Sequence, residues 1–436
     1  MRQIAFFVSL VLVAAVLAAC STASRLPVEP DATAAPTSTT ATGAASAAPT
    51  TAATSDPTPT VAATAERTSA PTPTLPNALT LWHSYAADSP AAQILDDLIA
   101  QARQAAPDMQ IAATSIPGDQ IVNRFETEAA AGGGPDLLLA SSSGLGRQAR
   151  AGMLRDLDSA VAPQASRYLP NALDSMRVDG KLYGVPASLT TIALYYNTGT
   201  IQNPPRTTDE LLSAVKGGAR IALIRSTFHN FGFFGAFGGR LFDDSGRCVA
   251  DAGGFAEALN YLRELKAAGA QFVTSGREAE ALFKEGQVDL AINGSWLLDD
   301  FRAALGEQLG VAPMPDGPGG AASPLLGGTG VYVNANTDTF EQATALALAL
   351  TSQEVQQRFV EQSAFVPSNP GVATADPALA SLAEAARASA PYPQRTELDR
   401  FWQPFDGALV EVLENNADPV AAVQSACTAM NEANGK

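Results

Sequence analysis

Aromatic rings and hydroxyl groups follow three of the strands that the sequence predicts. Trp82-His83-Ser84-Tyr85 follows the first apolar segment, Ser141-Ser142-Ser143-Gly144 follows the third, and Ser295-Trp296 follows Ile292-Asn293-Gly294. Rings can cover the apolar faces of a ligand, and hydroxyls can hydrogen-bond its polar edges. Ligands of open α/β sheets bind beyond the carboxyl ends of the strands. These residues therefore predict a site for a neutral ligand with apolar faces and hydroxyl edges.

Each of these residues also has a purely structural interpretation. Trp82 could belong to a hydrophobic core, the serines could cap the next helix, and His83 could lie on the surface. Tyr195 and Tyr196 could ligate iron as phenolates, but they stand in an apolar, strand-like segment. We therefore interpret both tyrosines as core and hinge residues.

The common catalytic and cofactor motifs are absent from the sequence. It contains no G-x-S-x-G, no H-E-x-x-H, no P-loop and no G-x-G-x-x-G after a strand. Gly132-Gly133-Gly134 precedes Pro135, which lacks an N–H, and leads into a strand, so it indicates a turn and not a phosphate-binding loop. The chain has only two histidines and no thiol cluster. No catalytic residue, cofactor or metal site is predicted.

The elements that must position the site alternate between strand and helix patterns. Ser89 and Pro90 provide an N-cap and a first-turn proline for the first helix. The first three strands are predicted at 78–82, 109–116 and 136–140. Further along, the pattern predicts a helix at 254–268 and a strand at 288–292. The initial order of strand, helix, strand, helix and strand predicts a mostly parallel α/β sheet.

Length and charge limit the class of protein. A chain of 436 residues exceeds one ordinary core and predicts two lobes with additional segments. The net charge of -17 and the pI near 4.5 argue against a nucleic-acid partner, because phosphates would be repelled.

The N-terminus has the pattern of an export signal. Arg2 precedes the uncharged apolar segment Ile4–Ala19, which is too short for a comfortable membrane span. Leu17-Ala18-Ala19-Cys20 resembles the lipobox of bacterial lipoproteins, although an ordinary secretory signal could also contain a cysteine. Residues 1–19 are thus predicted to be a signal peptide and Cys20 to carry lipid, which attaches the protein to a membrane.

Two further features follow from export. Residues 20–76 are rich in Ala, Thr, Ser and Pro, so we expect a disordered tether. An exported compartment also permits a disulfide between Cys248 and Cys427. Whether these two cysteines approach closely enough stays open at the level of sequence.

Four sets of segments together are more specific than any of the single residues above. In chain order they are Leu81-Trp82-His83-Ser84; Gly134-Pro135-Asp136-Leu137 with Gly152-Met153-Leu154-Arg155-Asp156-Leu157; Asp179-Gly180-Lys181-Leu182-Tyr183-Gly184-Val185-Pro186 before Leu194-Tyr195-Tyr196-Asn197; and Gly294-Ser295-Trp296 with Val311-Ala312-Pro313-Met314-Pro315 and Gly327-Gly328-Thr329-Gly330. This combination resembles the extracellular solute-binding proteins of ABC importers, in particular the maltose-binding-like group. The resemblance covers nearly all of the chain from Asn77 onward.

The resemblance implies an α/β fold of two hinge-linked lobes that close over a ligand. The chain would cross between the lobes at Val185–Ala193, at Leu326–Val333 and near Ala373–Leu379. Residues 77–188 and 329–375 would form the first lobe, and residues 189–328 and 376–436 the second. Ligand contacts are implied at Trp82, His83, Ser84, Tyr85, Ser142, Ser143, Ser188, Leu189, Phe228, Asn230, Trp296, Thr329 and Arg395.

The sequence departs from relatives that bind long oligosaccharides, because only 7% of its residues are aromatic. This favours a monosaccharide or short oligosaccharide, and it leaves open a glycerol phosphate or an amine. Arg395 would favour an anion, or it could be a surface residue.

The predicted function is that of a monomeric, lipid-anchored binding protein on the outer face of the cell membrane. It would deliver a small polar solute, most readily a carbohydrate, to the transmembrane subunits of an ABC permease. A sensory or adhesive lipoprotein is an alternative. A surface glycosidase is disfavoured because it needs two facing carboxylates, and Asp88 is the only acid near the predicted binding loops.

Overall fold

A computed structural model describes residues 78–105, 110–363 and 365–436. The predicted signal peptide, the lipidated Cys20 and the tether lie outside the described residues. Within the described ranges, no helix has the length and apolar character needed to cross a bilayer.

The strands are numbered in chain order. They are β1 (Ala78–His83), β2 (Gln110–Ser115), β3 (Leu137–Ser141), β4 (Arg177–Val178), β5 (Lys181–Leu182), β6 (Gly184–Thr190), β7 (Ile192–Asn197), β8 (Ile221–Ile224), β9 (Gln271–Val273), β10 (Leu290–Gly294), β11 (Leu309–Ala312), β12 (Leu325–Val333) and β13 (Ala390–Pro391).

The α-helices are numbered in the same way. They are α1 (Pro90–Ala105), α2 (Gly118–Ala130), α3 (Leu145–Arg150), α4 (Asp158–Val161), α5 (Pro170–Asp174), α6 (Thr208–Lys216), α7 (Thr227–Ala236), α8 (Phe255–Ala268), α9 (Gly276–Lys284), α10 (Leu298–Leu305), α11 (Phe340–Leu350), α12 (Gln353–Ser363), α13 (Pro377–Ala388), α14 (Trp402–Glu414) and α15 (Pro419–Ala433). Short 3-10 helices occupy Ser142–Gly144, Ala162–Arg167, Ala250–Ala252, Ser295–Leu297, Gly306–Gln308 and Thr396–Arg400.

Two mixed sheets organise the molecule. The first has the order β13-β12-β3-β1-β2, with β6 on the free side of β12, and the second has the order β11-β7-β10-β8-β9. The predicted parallel pairing is found where β1 joins β2 and β3, and where β8 joins β9 and β10. Strand β13 also joins β12 in parallel. The other pairs of these two sheets are antiparallel, because β12 runs against β3 and β6, and β7 runs against β10 and β11. These antiparallel strands lie next to the points where the chain passes between the sheets.

The start of α1 follows the predicted capping chemistry. The Ser89 hydroxyl accepts a hydrogen bond from the Ala92 N–H at 3.2 Å, and Pro90 occupies the first turn, where its missing N–H costs nothing. Ile94, Leu95 and Ile99 are buried on one face. The prediction of this helix and of its N-terminus is confirmed.

The two largest hydrophobic cores draw on different parts of the chain. One core contains residues from Leu79 to Val185 and from Val331 to Leu350. The other contains residues from Ile192 to Leu325 and from Leu398 to Met430. We call them the first-lobe core and the second-lobe core. Their membership agrees with the two predicted lobes, whose boundaries stay a prediction.

Strand β12 passes directly from one core to the other. Leu325 at its start is buried in the second-lobe core, whereas Val331 and Val333 at its end are buried in the first-lobe core. The chain makes a second passage from β6 to β7, where Val185 lies in the first-lobe core and Ile192 in the second. Both passages fall within the predicted crossings at Val185–Ala193 and Leu326–Val333.

The crossing expected near Ala373–Leu379 is not a strand. Asp376 caps α13 by accepting hydrogen bonds from the N–H groups of Ala378 and Leu379, so these residues begin a helix. The helix packs on the second sheet, and its Leu379 and Leu382 share a third core with strand residues of that sheet.

A disulfide joins Cys248 to Cys427 on α15, with their Cα atoms 5.5 Å apart. The sequence left this bond open. Asn431, one turn further along α15, accepts from the Cys248 N–H at 2.8 Å and donates to its carbonyl at 3.3 Å. Disulfide and amide together fix the C-terminal helix to the loop before the Ala250–Ala252 turn.

Candidate functional site

Three half-buried rings form a contiguous surface at the edge of the second-lobe core. The Phe228 ring lies 6.3 Å from the Trp296 ring at an interplanar angle of 28°, and 6.1 Å from the Trp402 ring at 58°. We call Phe228, Trp296 and Trp402 the aromatic cluster. Phe228 and Trp296 are ligand contacts expected from the sequence, and the structure brings these two together.

The fold explains why the cluster forms. Phe228 lies in the first turn of α7 after β8, and Trp296 follows β10, which pairs with β8 in parallel. The carboxyl ends of these two strands are therefore neighbours. The carboxylate of Asp406 on α14 accepts from the N–H and hydroxyl of Thr227 at 2.7 and 2.6 Å. That contact fixes the start of α7 beside the start of α14, where Trp402 lies.

A row of three hydroxyl groups lies across the first sheet. Thr329 on β12 pairs with Ser141 at the end of β3 on one side and with Ser188 on β6 on the other. Directly paired residues of neighbouring strands point to the same face, so the three side chains are adjacent. We call Ser141, Thr329 and Ser188 the hydroxyl row. A side chain at Gly328 would come within 2.3 Å of the Ser188 carbonyl oxygen, so glycine permits the close approach of β12 and β6.

The hydroxyl row lies at the boundary between the lobes. Thr329 stands midway along β12, between the residues that enter the second-lobe core and those that enter the first. Ser188 lies three residues before Thr191, and the Ser295 N–H donates to the Thr191 carbonyl at 2.8 Å. Ser295 directly precedes Trp296. Short backbone connections therefore link the hydroxyl row to the aromatic cluster.

Two predicted ligand contacts of the first lobe are packed elsewhere. Trp82 is 7% exposed in the first-lobe core, with the Arg124 guanidinium 4.5 Å from its ring centre. Tyr85 packs against Phe359 and Phe365, each ring 5.8 Å away. Apolar burial explains both placements, since each large ring removes more apolar surface from water there than at a wet site. Neither ring contacts the aromatic cluster.

Three predicted contacts of the second lobe also have structural partners. The Asn230 amide donates to the carbonyls of Ile224 and Ser226 at 2.7 and 2.8 Å. Arg395 pairs with Glu397 at 3.5 Å, and its guanidinium lies over the ring of Phe242. Leu189 is buried in the third core. These contacts hold the Asn230 Nδ2 atom, the Arg395 guanidinium and the Leu189 side chain in place, whereas the buried Oδ1 atom of Asn230 has no hydrogen-bond partner among the described residues.

The remaining predicted residues stand at the carboxyl ends of β1 and β3. His83 is 5% exposed, and burial lowers the pKa of its imidazole. The Ser84 N–H donates to the Leu139 carbonyl at 3.2 Å, which places Ser84 beside the end of β3. Ser142 is buried, and Ser143 is exposed on the same short turn. Their role in binding stays a prediction.

Trp402 was missed by the sequence analysis. It is one of only three tryptophans, and it begins a helix whose neighbouring Phe401 and Phe405 are buried. The aromatic residues Phe401, Trp402 and Phe405, which stand close together in the sequence, are the signal that could have identified it. No nearby polar motif marked the segment.

His229 is a buried histidine that contacts two rings of the aromatic cluster. Its ring is 5.3 Å from Phe228 and 6.4 Å from Trp296, and burial lowers its pKa from 6.5 to about 4. Between these values the unfolded chain binds more protons, so stability falls as the pH falls. We expect a loss of about 2 kcal/mol from His229 between pH 7 and pH 5.

Urea unfolding gives the free energy of unfolding at pH 7 and at pH 5. The contribution of His229 is the amount by which the loss between these pH values is larger in the wild type than in His229→Gln. The lowered pKa of His83 acts in the same direction in both proteins and therefore cancels. An equal pH dependence in wild type and variant would contradict the prediction.

A cavity in the described part of the chain lies away from these residues. Its volume is about 570 Å³, and its walls come from α10, α12 and the segment before α13. Arg302 in its wall is already paired with Asp376 and Asp299. Val360 in the wall belongs to the third core, whereas the aromatic cluster packs against the second-lobe core. The aromatic cluster and the hydroxyl row together are therefore the candidate ligand site.

No group of three potential metal ligands occurs among residues 78–105, 110–363 and 365–436. The arrangement offers rings, hydroxyl groups and backbone amides. Such a surface can bind a neutral polyhydroxylated molecule through its apolar and polar faces together.

Comparison with known proteins gives consistent matches. Residues 97–387 match the model of a family described as bacterial extracellular solute-binding protein. A galactooligosaccharide-binding protein of Bacillus subtilis (strain 168) is 27% identical over 357 residues, which cover 76% of this chain and 84% of that protein. A maltooligosaccharide ABC transporter solute-binding lipoprotein of Streptococcus pneumoniae (strain ATCC BAA-255 / R6) is 22% identical over 340 residues, covering 71% and 79%.

The fold has similar solved structures. A cyclo/maltodextrin-binding protein complexed with maltotetraose superposes with a TM-score of 0.73 at 24% identity. The superposition covers 82% of this chain and 97% of that chain. The two-lobe α/β fold expected from the sequence is therefore confirmed.

Proposed function

Because this chain belongs to the bacterial extracellular solute-binding proteins, we propose that it captures a short oligosaccharide between its lobes for an ABC-type importer. Members of the family bind solutes and are not enzymes. Delivery to an importer would follow from closure of the lobes, since a permease can recognise the closed form.

The aromatic cluster, linked through Ser295 and Thr191 to the strand that carries Ser188 of the hydroxyl row, is the observation that supports the proposal. A pyranose presents C–H groups on its faces and hydroxyl groups on its rim. Aromatic rings bind the C–H faces, and protein hydroxyl groups hydrogen-bond the hydroxyls of the rim. Phe228, Trp296 and Trp402 supply the rings, while Thr329 and Ser141 supply accessible hydroxyls.

The number of rings supports more than one sugar unit. The low aromatic content of the sequence favoured a monosaccharide or a short oligosaccharide, and Trp402 adds a third ring to the surface of Phe228 and Trp296. The relatives are named for galactooligosaccharide and maltooligosaccharide, which are chains of sugar units. We therefore infer a ligand of two to four sugar units.

The membrane partner and the anchor form part of the proposal. One relative is named as a lipoprotein of an ABC transporter, and the segment Leu17-Ala18-Ala19-Cys20 suits lipid attachment here. The protein would work as a monomer on the outer face of the membrane. Lipid at Cys20 would keep it close to the permease subunits.

Non-sugar ligands have less support. Arg395, the residue that would favour an anion, is paired with Glu397 and covers Phe242. The aromatic cluster and the hydroxyl row contain no charged side chain that could pair with a glycerol phosphate or an amine.

A thermal-melting screen of the exported domain tests the proposal. Any ligand that binds only the folded state stabilises it by about 2.7 kcal/mol at a hundred times its Kd. We expect the melting temperature to rise with maltotriose or with galactose oligomers of two to four units. It should rise less with glucose or galactose and stay unchanged with glycerol 3-phosphate or spermidine. A flat response to every saccharide would refute the proposed function.

A further inference from the structure

The segment between α13 and α14 reaches back from the second lobe to touch the first. Tyr392 on this segment packs against the second-lobe core. Two residues later, the side chain of Gln394 is only 8% exposed and is bonded to first-lobe backbone. The segment thus spans the boundary between the lobes shortly before Trp402.

Gln394 uses both ends of its amide on the turn after β3. Its Oε1 atom accepts a hydrogen bond from the Gly146 N–H at 3.2 Å, in the first turn of α3. Its Nε2 atom donates to the Ser142 carbonyl at 3.4 Å and to the Ser175 carbonyl at 3.3 Å. N–H groups in the first turn of a helix have no partner within the helix, so this contact satisfies a group that would otherwise lack one.

Two residues of α3, Gly146 and Arg150, lie against the Gln394 segment. A side chain at Gly146 would come within 3.3 Å of both the Oε1 and the backbone oxygen of Gln394. Arg150 donates to the Gly146 carbonyl at 3.1 Å and also to the Gln394 carbonyl. Glycine at 146 and arginine at 150 therefore hold the Gln394 segment against the first lobe.

The turn held by Gln394 is the turn that carries two of the ligand contacts expected from the sequence. Ser142 and Ser143 stand on it, and Ser141 of the hydroxyl row directly precedes them. On the other side, the Gln394 segment continues through the 3-10 helix Thr396–Arg400 to Trp402. One short stretch of chain thus connects a wall of the site in the first lobe with the aromatic cluster in the second.

We propose that Gln394 is a positioning residue that sets the Ser141–Ser143 turn against the aromatic cluster, so that ligand affinity depends on it without direct contact. The proposal rests on the proposed function of the same site. A site loosened by a misplaced supporting group loses affinity although its contacting side chains remain.

The test compares two buried amides. Gln394→Met keeps the size of the side chain and removes its hydrogen bonds. Asn431→Leu removes a similar pair of backbone bonds at Cys248, deep in the second lobe and away from the site. Titration calorimetry with the saccharide that stabilises the wild type gives the Kd, at a temperature well below melting. Urea unfolding of the same samples gives the free energy of unfolding.

We expect Gln394→Met to raise the Kd about 10-fold, while Asn431→Leu lowers the free energy of unfolding and leaves the Kd unchanged. An unchanged Kd in Gln394→Met would overturn the proposal, as would an equal rise in Kd in both variants. If Gln394→Met does not fold, Gly146→Ala takes its place, because the added methyl group shifts the Gln394 side-chain amide without removing it. A rise in the Kd of Gly146→Ala would then support the proposal, and an unchanged Kd would overturn it. Failure of the wild type to bind any saccharide would instead count against the proposed function.

Discussion

Trp402→Ala is expected to weaken saccharide binding by about 30-fold, because a buried aromatic anchor contributes about 2 kcal/mol to a binding site. The ring is half-buried in the free protein and lies 6.1 Å from Phe228, so a ligand would complete its burial. Since the indole is not part of the inner core, its loss should lower the free energy of unfolding only slightly. Calorimetric titration and urea unfolding measure the two effects.

Trp82 provides the matched control for this experiment. It is buried under Arg124 in the first-lobe core. Trp82→Phe should therefore lower the free energy of unfolding and leave the Kd of the folded protein unchanged. If Trp402→Ala bound saccharide as tightly as the wild type, the aromatic cluster would not be the ligand site.

Loss of the disulfide is expected to lower the free energy of unfolding by about 2–5 kcal/mol. The bond closes a loop between residues 179 positions apart, which strongly restricts the unfolded chain. Urea unfolding of the wild type with and without a reductant measures the effect. The expected result is a lower midpoint after reduction.

The double variant Cys248→Ala/Cys427→Ala is the control for effects of the reductant itself. It should be as unstable as the reduced wild type and insensitive to further reductant. Equal midpoints for the oxidised and reduced wild type would show that the bond does not stabilise the fold.

The fold was predictable where local signals and the hydrophobic pattern agree. Ser89 and Pro90 marked the start of α1, and the apolar segments gave β1, β2 and β3. The antiparallel placement of β12 was not predictable from its own residues. A nine-residue strand has no feature that reveals the direction of β3 and β6, which pair with it from more than a hundred residues earlier in the chain.

The site was predictable only in part, because the residue type alone does not distinguish an aromatic ring in a hydrophobic core from one that contacts a ligand. Trp82 stands near the end of an apolar strand and Trp296 directly after one, yet the first is buried in a core and the second is half-buried beside Phe228. Which ring stays accessible depends on what packs over it, and Arg124 on α2 covers Trp82. Trp402 reaches the cluster through the Asp406 contact with Thr227, a tertiary contact that no local pattern contains.

Because the chain passes between the two cores more than once, each core is built from separate parts of the chain. The first-lobe core draws on residues before Val185 and after Val331, with most of the second-lobe core encoded between them. The rest of the second-lobe core, from Leu398 to Met430, follows the first-lobe residues, so the two lobes are interleaved in the gene. No uninterrupted stretch of coding sequence corresponds to a complete lobe, so recombination that transplants one would have to exchange two separate segments.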